Sequence, residues 1–448
     1  MMALARNSAR GVLAAFLLAF AGLCAAALPA RAVSIERVIS PLGIEVWLVR
    51  QATVPIFDLQ FAFEGGSSQD PAGKPGIGKL AGLLLDEGAG DLDSKTFQER
   101  LEGSAIDLQF QTGRDATTGS LRSLNEHRDE AVELLRLALN APRFDPPAVE
   151  RIRGQLLSGL RRETTSPNDI ASRKWWAAAF PGHPYGQQVN GTLESVPLIT
   201  ADDLRSYAKH VFARSNLKIA IVGDIDAATA GKIVDRVFGA LPAQAELRPV
   251  PKADPQGLGQ RIVVDLDVPQ AVVTFGRVGI SRKDPDFMAA YIVSYILGGG
   301  SMSSRLYSEV REKRGLAYSI SDNLVWLKGT AVTLGGTATR SDKTSEALAL
   351  IESETKRLAE NGPTEDEFNK AKSYLKGAYA LGLDTSNKIA GALVQIQIDD
   401  LGIDYMDKRN ALIDAVTLED TKRVAKRLFE GKMLVTVVGR PLGVTSRN

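Results

Sequence analysis

The chain holds one cysteine in 448 residues, Cys24, and only three histidines, His127, His183 and His210. Cys24 falls inside an N-terminal stretch with the outline of an export signal. Arg6 and Arg10 precede an apolar run from Val12 to Leu28, and Ala30-Arg31-Ala32 has the small–x–small pattern that a signal peptidase cuts before Val33. Leu23 stands beside Cys24 where a lipoprotein signal carries a small residue, which argues against lipid anchoring. The expectation is a signal peptide over residues 1–32 and a periplasmic protein with no membrane attachment once it is cleaved. Gly11 to Ala30 is just long enough to serve instead as a retained anchor. Without Cys24 the exported chain has no thiol, which excludes disulfides, cysteine nucleophiles and thiolate metal sites.

Charge of one sign is also lacking. Lys and Arg number 54 against 53 Asp and Glu, and removal of Arg6, Arg10 and Arg31 tips that balance slightly acidic, so nothing in it recruits nucleic acid. Hydrophobic content of 44% and charged content of 24%, with 15 Phe, 9 Tyr and 4 Trp, are those of a folded, water-soluble protein. A single core rarely grows past about 250–300 residues, so two domains are expected.

An internal repeat organises what is present. Asp129 to Leu135 is echoed by Ser345 to Ile351, both with apolar residues at helical spacing, and Ala131 to Ala347 is one shift along the chain. Pro147 and Pro363, at the same shift, are expected in the first turn of the next helix of each copy. Ala208 to Phe212 before Leu217 to Gly223 resembles Ala425 to Phe429 before Leu434 to Gly439. Each copy therefore forms a complete α+β unit, over residues 33–240 and 260–443. Residues 241–259, rich in proline and without apolar period, form an extended linker between two independently packed halves. Phe57, Leu59, Phe61 and Phe63 alternate with Asp58, Gln60 and Ala62, the pattern of a half-buried antiparallel strand, and Leu42-Gly43 reads as a hairpin turn feeding Ile44 to Val49. Strands mix with long helices without strict alternation. The expected fold class is α+β: two homologous repeats, each a mostly antiparallel sheet with helices packed on one face.

Several segments in order then carry a family likeness: Pro75-Gly76-Ile77-Gly78-Lys79-Leu80, Phe180-Pro181-Gly182-His183-Pro184-Tyr185-Gly186, Ile221-Val222-Gly223-Asp224, and Ser304 through Arg311 and Gly315 to Tyr318. Together they resemble the insulinase or pitrilysin (M16) zinc peptidases, in the short bacterial form similar to mitochondrial processing peptidase subunits. Active members of that family carry H-x-x-E-H on a helix, two imidazoles for zinc with a glutamate that activates the metal-bound water. Here those positions read Lys79, Gly82 and Leu83, and the family's third ligand falls close to Gly159. An ammonium cannot ligate zinc before losing its proton, and glycine and leucine offer no donor. The three histidines are not at ligand spacing, and read as surface or loop residues. The acidic stretch Asp86 to Asp93 lacks calcium-loop spacing and reads as a turn, with Gly88 and Gly90 in it and Asp93 or Ser94 capping the next helix.

The resemblance further implies that Arg311 and Tyr318 hold the substrate carbonyl beside the metal. A helix from Ser304 to Lys313, a left-handed stop at Gly315 and a strand from Ala317 would let the two converge. Leu297 to Met302, with three glycines, reads as a flexible turn open to a peptide. The expectation is a chain that binds no metal and no cofactor itself, pairs as a heterodimer with a zinc-bearing M16 subunit, and contributes Arg311 and Tyr318 to peptide hydrolysis there. The alternative is a scaffold or peptide-binding protein of the same fold, as in the core subunits of respiratory complexes.

Overall fold

A computed structural model describes residues 34–447; the export-signal reading and Cys24 lie outside them. The first repeat runs β1 (Ile35–Ile39), β2 (Glu45–Arg50), β3 (Ile56–Glu64), α1 (Ile77–Gly82), α2 (Ser94–Gly103), β4 (Asp107–Thr112), β5 (Ala116–Leu124), α3 (Arg128–Asn140), α4 (Pro146–Glu163), α5 (Pro167–Ala179), α6 (Ala201–Val211), β6 (Leu217–Gly223) and α7 (Ala227–Phe238). The second runs β7 (Arg261–Val264), β8 (Gln270–Val278), α8 (Phe287–Ser294), two π-helical segments at Tyr295–Gly299 and Tyr307–Glu312, β9 (Ala317–Trp326), β10 (Ala331–Arg340), α9 (Thr344–Asn361), α10 (Glu365–Leu381), α11 (Ser386–Ile398), α12 (Tyr405–Ala415), α13 (Leu418–Phe429) and β11 (Leu434–Val438). Among the described residues no helix is long and apolar enough to cross a membrane.

Each repeat builds one sheet, in the orders β1-β2-β6-β3-β5-β4 and β7-β11-β8-β10-β9. Only β2 with β6 and β7 with β11 pair in parallel; the remaining neighbours are antiparallel, so the fold class is the α+β one expected. The two sheets repeat each other in detail. Phe61 on β3 lies opposite Gly119 on β5, and Phe275 on β8 lies opposite Gly335 on β10; a Cβ on either glycine would fall within 2.1 Å and 2.4 Å of the facing ring. These are positions where an aromatic ring takes the space of a missing side chain.

The Leu42-Gly43 turn joins β1 to β2 as expected, with Gly43 at φ 80°. Asp93 caps α2, its carboxylate accepting from the Thr96 amide at 2.8 Å. Pro147 sits in the first turn of α4, but Pro363 stands before the cap of α10. That helix opens at Thr364, whose hydroxyl accepts from the Glu367 amide while the Glu367 carboxylate accepts from the Thr364 amide, a reciprocal pair that sets the start without proline.

Two further expectations are corrected. β3 is not half-buried: Asp58 and Ala62, on its second face, are as hidden as Phe57 and Phe61. The cover comes from the other repeat. α11 lays Ile389, Ala390, Leu393 and Val394 against Trp47, Val49, Ala62, Ala220 and Val222 of the first sheet. Reciprocally, α5 lays Trp175, Trp176 and Ala179 against Val332 and Leu434 of the second, and Ile170 and Ala171 against Val272 and Val438. Trp175 is fully buried and its indole N–H donates to the Leu434 carbonyl at 3.0 Å. The halves are therefore not independently packed. They exchange one helix each, and the outer face of each sheet is closed by the other's helix.

Candidate functional site

In the first repeat the positions that resemble a zinc helix fall on α1. It is only six residues long, and its start is set by Asp70, whose carboxylate accepts from the Gly76 amide at 2.7 Å and the Gly78 amide at 2.9 Å. Burial pushes the Asp70 carboxyl up to about 7 against the pull of those two N–H groups and of Arg248. Lys79 is half-buried, with no ion pair among the described residues, and Leu83 is half-buried just past the helix. Gly82 is buried. A Cβ there would lie 2.9 Å from the Thr112 hydroxyl oxygen, and that hydroxyl donates to the Gly78 carbonyl at 2.9 Å. A Cβ at Gly78 would sit 2.7 Å from the Tyr207 hydroxyl. A Cβ at position 82 would thus press on Thr112, with Tyr207 against the same helix.

The residues at these positions do not fit zinc: an amine, a bare backbone and an aliphatic chain stand where imidazole and carboxylate would be required. Gly159 lies within α4 and adds no donor. No group of three or more His, Asp or Glu able to hold a metal occurs among the described residues. His127 ends the turn before α3, and His210, on α6, lies 3.3 Å from Glu246 of the linker. His183 is a brace. Its Nδ1 accepts from the Tyr185 amide at 3.1 Å, and its Nε2 stands 3.0 Å from the Pro251 carbonyl of the linker.

In the second repeat the structure brings Arg311 and Tyr318 together. Arg311 lies in the π-helical segment Tyr307–Glu312, a wider coil than the α-helix expected there. The chain then stops at Gly315, φ 60°, whose amide donates to the Arg311 carbonyl at 2.9 Å. It returns as β9, the edge strand of its sheet. Ala317 pairs with Thr339 and Ile320 with Thr337, so β9 carries one extra residue there, a bulge that includes Tyr318. The bulge turns Tyr318 off the sheet, and it is 82% exposed.

The Arg311 guanidinium carbon stands 4.6 Å from the Tyr318 ring centroid and 4.8 Å from that of Tyr307, whose hydroxyl it also meets. Neighbouring cations are drawn elsewhere. Glu309 holds Lys313 and Arg314, each at 2.6 Å, and Glu367 holds Arg305 at 2.6 Å. Among the described residues no carboxylate pairs with Arg311. An arginine steadied between two rings and left without a counter-ion, beside an exposed phenol on a free strand edge, can grip a carbonyl or carboxylate oxygen.

Sequence reasoning missed Tyr307, whose spacing four residues before Arg311 was the available signal. Of the glycines of Leu297 to Met302 only Gly300 lies in a turn. Tyr295–Gly299 is helical, and a Cβ at Gly298 would lie 2.3 Å from the Asp322 amide nitrogen, so the glycine lets that coil pack directly on β9.

The chain is similar to several known proteins. Residues 46–193 match the family described as insulinase (peptidase family M16), and residues 198–375 match the one described as the peptidase M16 inactive domain. Among curated relatives, the non-peptidase homolog YmxG of Helicobacter pylori is 28% identical over 74% of this chain and 77% of its own length. An uncharacterized zinc protease of Streptomyces coelicolor is 26% identical over 87% of this chain and 85% of its own. A crystal structure of a peptidase M16 inactive domain from Pseudomonas fluorescens superposes with a TM-score of 0.85 at 28% identity, covering 93% of this chain and all of that one. A protease from Helicobacter pylori shares the fold with a TM-score of 0.83 at 20% identity, over 91% of this chain and 99% of its own.

Proposed function

From the premise that this chain belongs to the insulinase (M16) peptidase family and is a non-peptidase homologue within it, we propose that it is the metal-free half of a heterodimeric peptidase. It acts in the periplasm after export, and its partner is a zinc-bearing M16 subunit. The partner supplies the metal and the base; this chain supplies Arg311 and Tyr318 to hold the substrate's carbonyl oxygen. The observation that carries the reading is the contrast between the two repeats: a zinc position filled by Lys79, Gly82 and Leu83, against an unpaired Arg311 beside an exposed Tyr318 on an edge strand.

The chemistry follows from the geometry. A peptide lying along β9 would present its backbone to unpaired strand groups, with its carbonyl near the guanidinium and phenol. Donors aimed at an oxyanion contribute about 3–4 kcal/mol each when held in place beforehand. The rings of Tyr307 and Tyr318 hold Arg311 in that way. The test is reconstitution with a zinc-bearing M16 subunit encoded by the same genome. Peptidase activity is expected only in the mixture, and Arg311→Ala or Tyr318→Phe should lower kcat/KM by about ten-fold or more without weakening the pairing. A mixture with no activity, or one that both variants leave at wild-type rates, would reject it in favour of a scaffold.

A further inference from the structure

The two repeats differ most inside the second one's core. Thr117 and Thr333 are equivalent, and the residue opposite each is Phe63 in the first sheet but Arg277 in the second. Phe63 packs on Phe212, its tilted ring 4.9 Å away, and Phe238 meets both Phe61 and Phe63 edge-on. Arg277 instead stands 5.1 Å from the ring of Phe429, the counterpart of Phe212. On the adjacent strands Phe110 meets Phe61 in the first repeat, while in the second the place across from Gly335 belongs to Asp322. Two aromatic positions of one core are thus an arginine and an aspartate in the other.

Both charges are deeply buried, Arg277 at 2% exposure and Asp322 at 1%. The arginine is not saturated. One terminal nitrogen donates to the Phe429 carbonyl at 3.4 Å, while Nε and the second terminal nitrogen have no hydrogen-bond partner, and neither Asp322 oxygen accepts a hydrogen bond. Replacing packed rings by two buried charges that make no direct ion pair costs stability unless something further satisfies them. Arg277 also lines a cleft of about 920 Å³ between β7, β11, α9 and α13, a volume within the range of small-molecule sites. Beside it the walls are Ala359, Phe429, Met433 and Val435, and the buried Thr355 hydroxyl has no partner either. The rim carries more cations than carboxylates, with Lys426 and Lys432 at the mouth.

We propose that this cleft binds an organic monocarboxylate with a short apolar chain, its carboxylate drawn to the buried Arg277 guanidinium and its chain along Ala359, Phe429 and Val435. A guanidinium whose side chain turns toward such a ligand can meet it in two parallel bonds. Asp322 nearby favours a single negative charge over a dianion, because repulsion grows with the ligand's charge. The apolar wall selects against inorganic anions. Two sources share this chemistry, a medium-chain fatty acid and the C-terminal residue of an apolar peptide.

Titration of the purified exported chain with octanoate, followed by calorimetry and by the shift in Tm, tests this directly. Octanoate should bind at least ten-fold more tightly than octanol, and Arg277→Met should remove that preference. Ala359→Trp, which leaves Arg277 in place and fills the cleft, should lose binding at least ten-fold and decides the matter if Arg277→Met does not fold. N-acetylleucine binding more tightly than octanoate assigns the site to peptide ends, and the reverse assigns it to fatty acids. Octanoate no tighter than octanol, or wild-type affinity in either variant, would overturn the proposal and leave Arg277 and Asp322 as buried charges of the core only.

Discussion

At the scale of single residues, α1 shows what a side chain introduced at position 82 would meet. Gly82 has no room for a Cβ beside Thr112. Gly82→Ala should therefore cost about 1–3 kcal/mol by overpacking, measured by urea unfolding. The same change made in a Thr112→Ala background should cost less, because the two sites share one contact; a purely additive pair would refute the steric account. Asp70 makes a second residue-scale expectation. Its carboxyl is raised by burial to about 7, so the folded state holds its proton where the unfolded state has released it. The cost of ionising it inside the fold is absent below about pH 4, grows between pH 4 and 7, and is constant above. Glu133 and Asp286, held down to about 2 by Arg136 and Arg423, gain stability in the opposite direction as pH rises. The informative quantity is thus the difference between wild type and Asp70→Asn. It should shift by a few kcal/mol in favour of the variant from pH 4 to pH 7, and a pH-independent difference would contradict the raised carboxyl.

At the scale of elements, the exchanged helices α5 and α11 determine what is buried. Trp175→Ala removes a fully buried indole together with its bond to the Leu434 carbonyl, and should cost about 3–5 kcal/mol. Because α5 belongs to one repeat and β11 to the other, that loss should appear in a single unfolding transition, read by far-ultraviolet circular dichroism, and not in one half alone. Much of this architecture could be read from the amino acids. Helices recurring at a constant shift, alternation in β3, and the Asp93 cap follow from local periodicity and turn chemistry, which short-range physics dictates. The exchange was not readable: Ile389, Leu393 and Val394 make an apolar stripe of the same form whichever sheet lies beneath it. The half-buried reading of β3 failed for that reason, since Ala62 is small enough to pass for a solvent-facing residue and is covered from a distance of more than three hundred positions. In the candidate site, the approach of Arg311 to Tyr318 follows from a helix, a glycine stop and a returning strand. The π-helical coil and the bulge in β9 do not, because each depends on one extra residue accommodated by tertiary contacts.

At the scale of the whole molecule, the two repeats are joined by polar ties as well as by apolar faces. Asp115, in the hairpin before β5, accepts from the Tyr185 hydroxyl at 2.9 Å and the Lys328 amide at 2.6 Å; the Tyr185 hydroxyl in turn accepts from the Gly329 amide at 2.9 Å. Gln60 on β3 donates to Asn387 on α11 at 2.7 Å, and Gln397 on α11 donates to the Ile219 carbonyl at 2.9 Å. Cutting the linker leaves every one of these contacts between folded surfaces, whereas removing one repeat uncovers the outer sheet face of the other. Residues 34–247 expressed alone would expose Trp47, Val49 and Val222, an apolar surface that invites aggregation. Residues 248–447 would lose the cover of Trp175 and Trp176. Each piece alone is expected to lack a cooperative thermal transition, while the two coexpressed should copurify and regain one near that of the intact chain. Cooperative unfolding of either piece by itself, at a Tm close to that of the whole, would show that the exchanged helices are dispensable and that each sheet is closed by its own repeat.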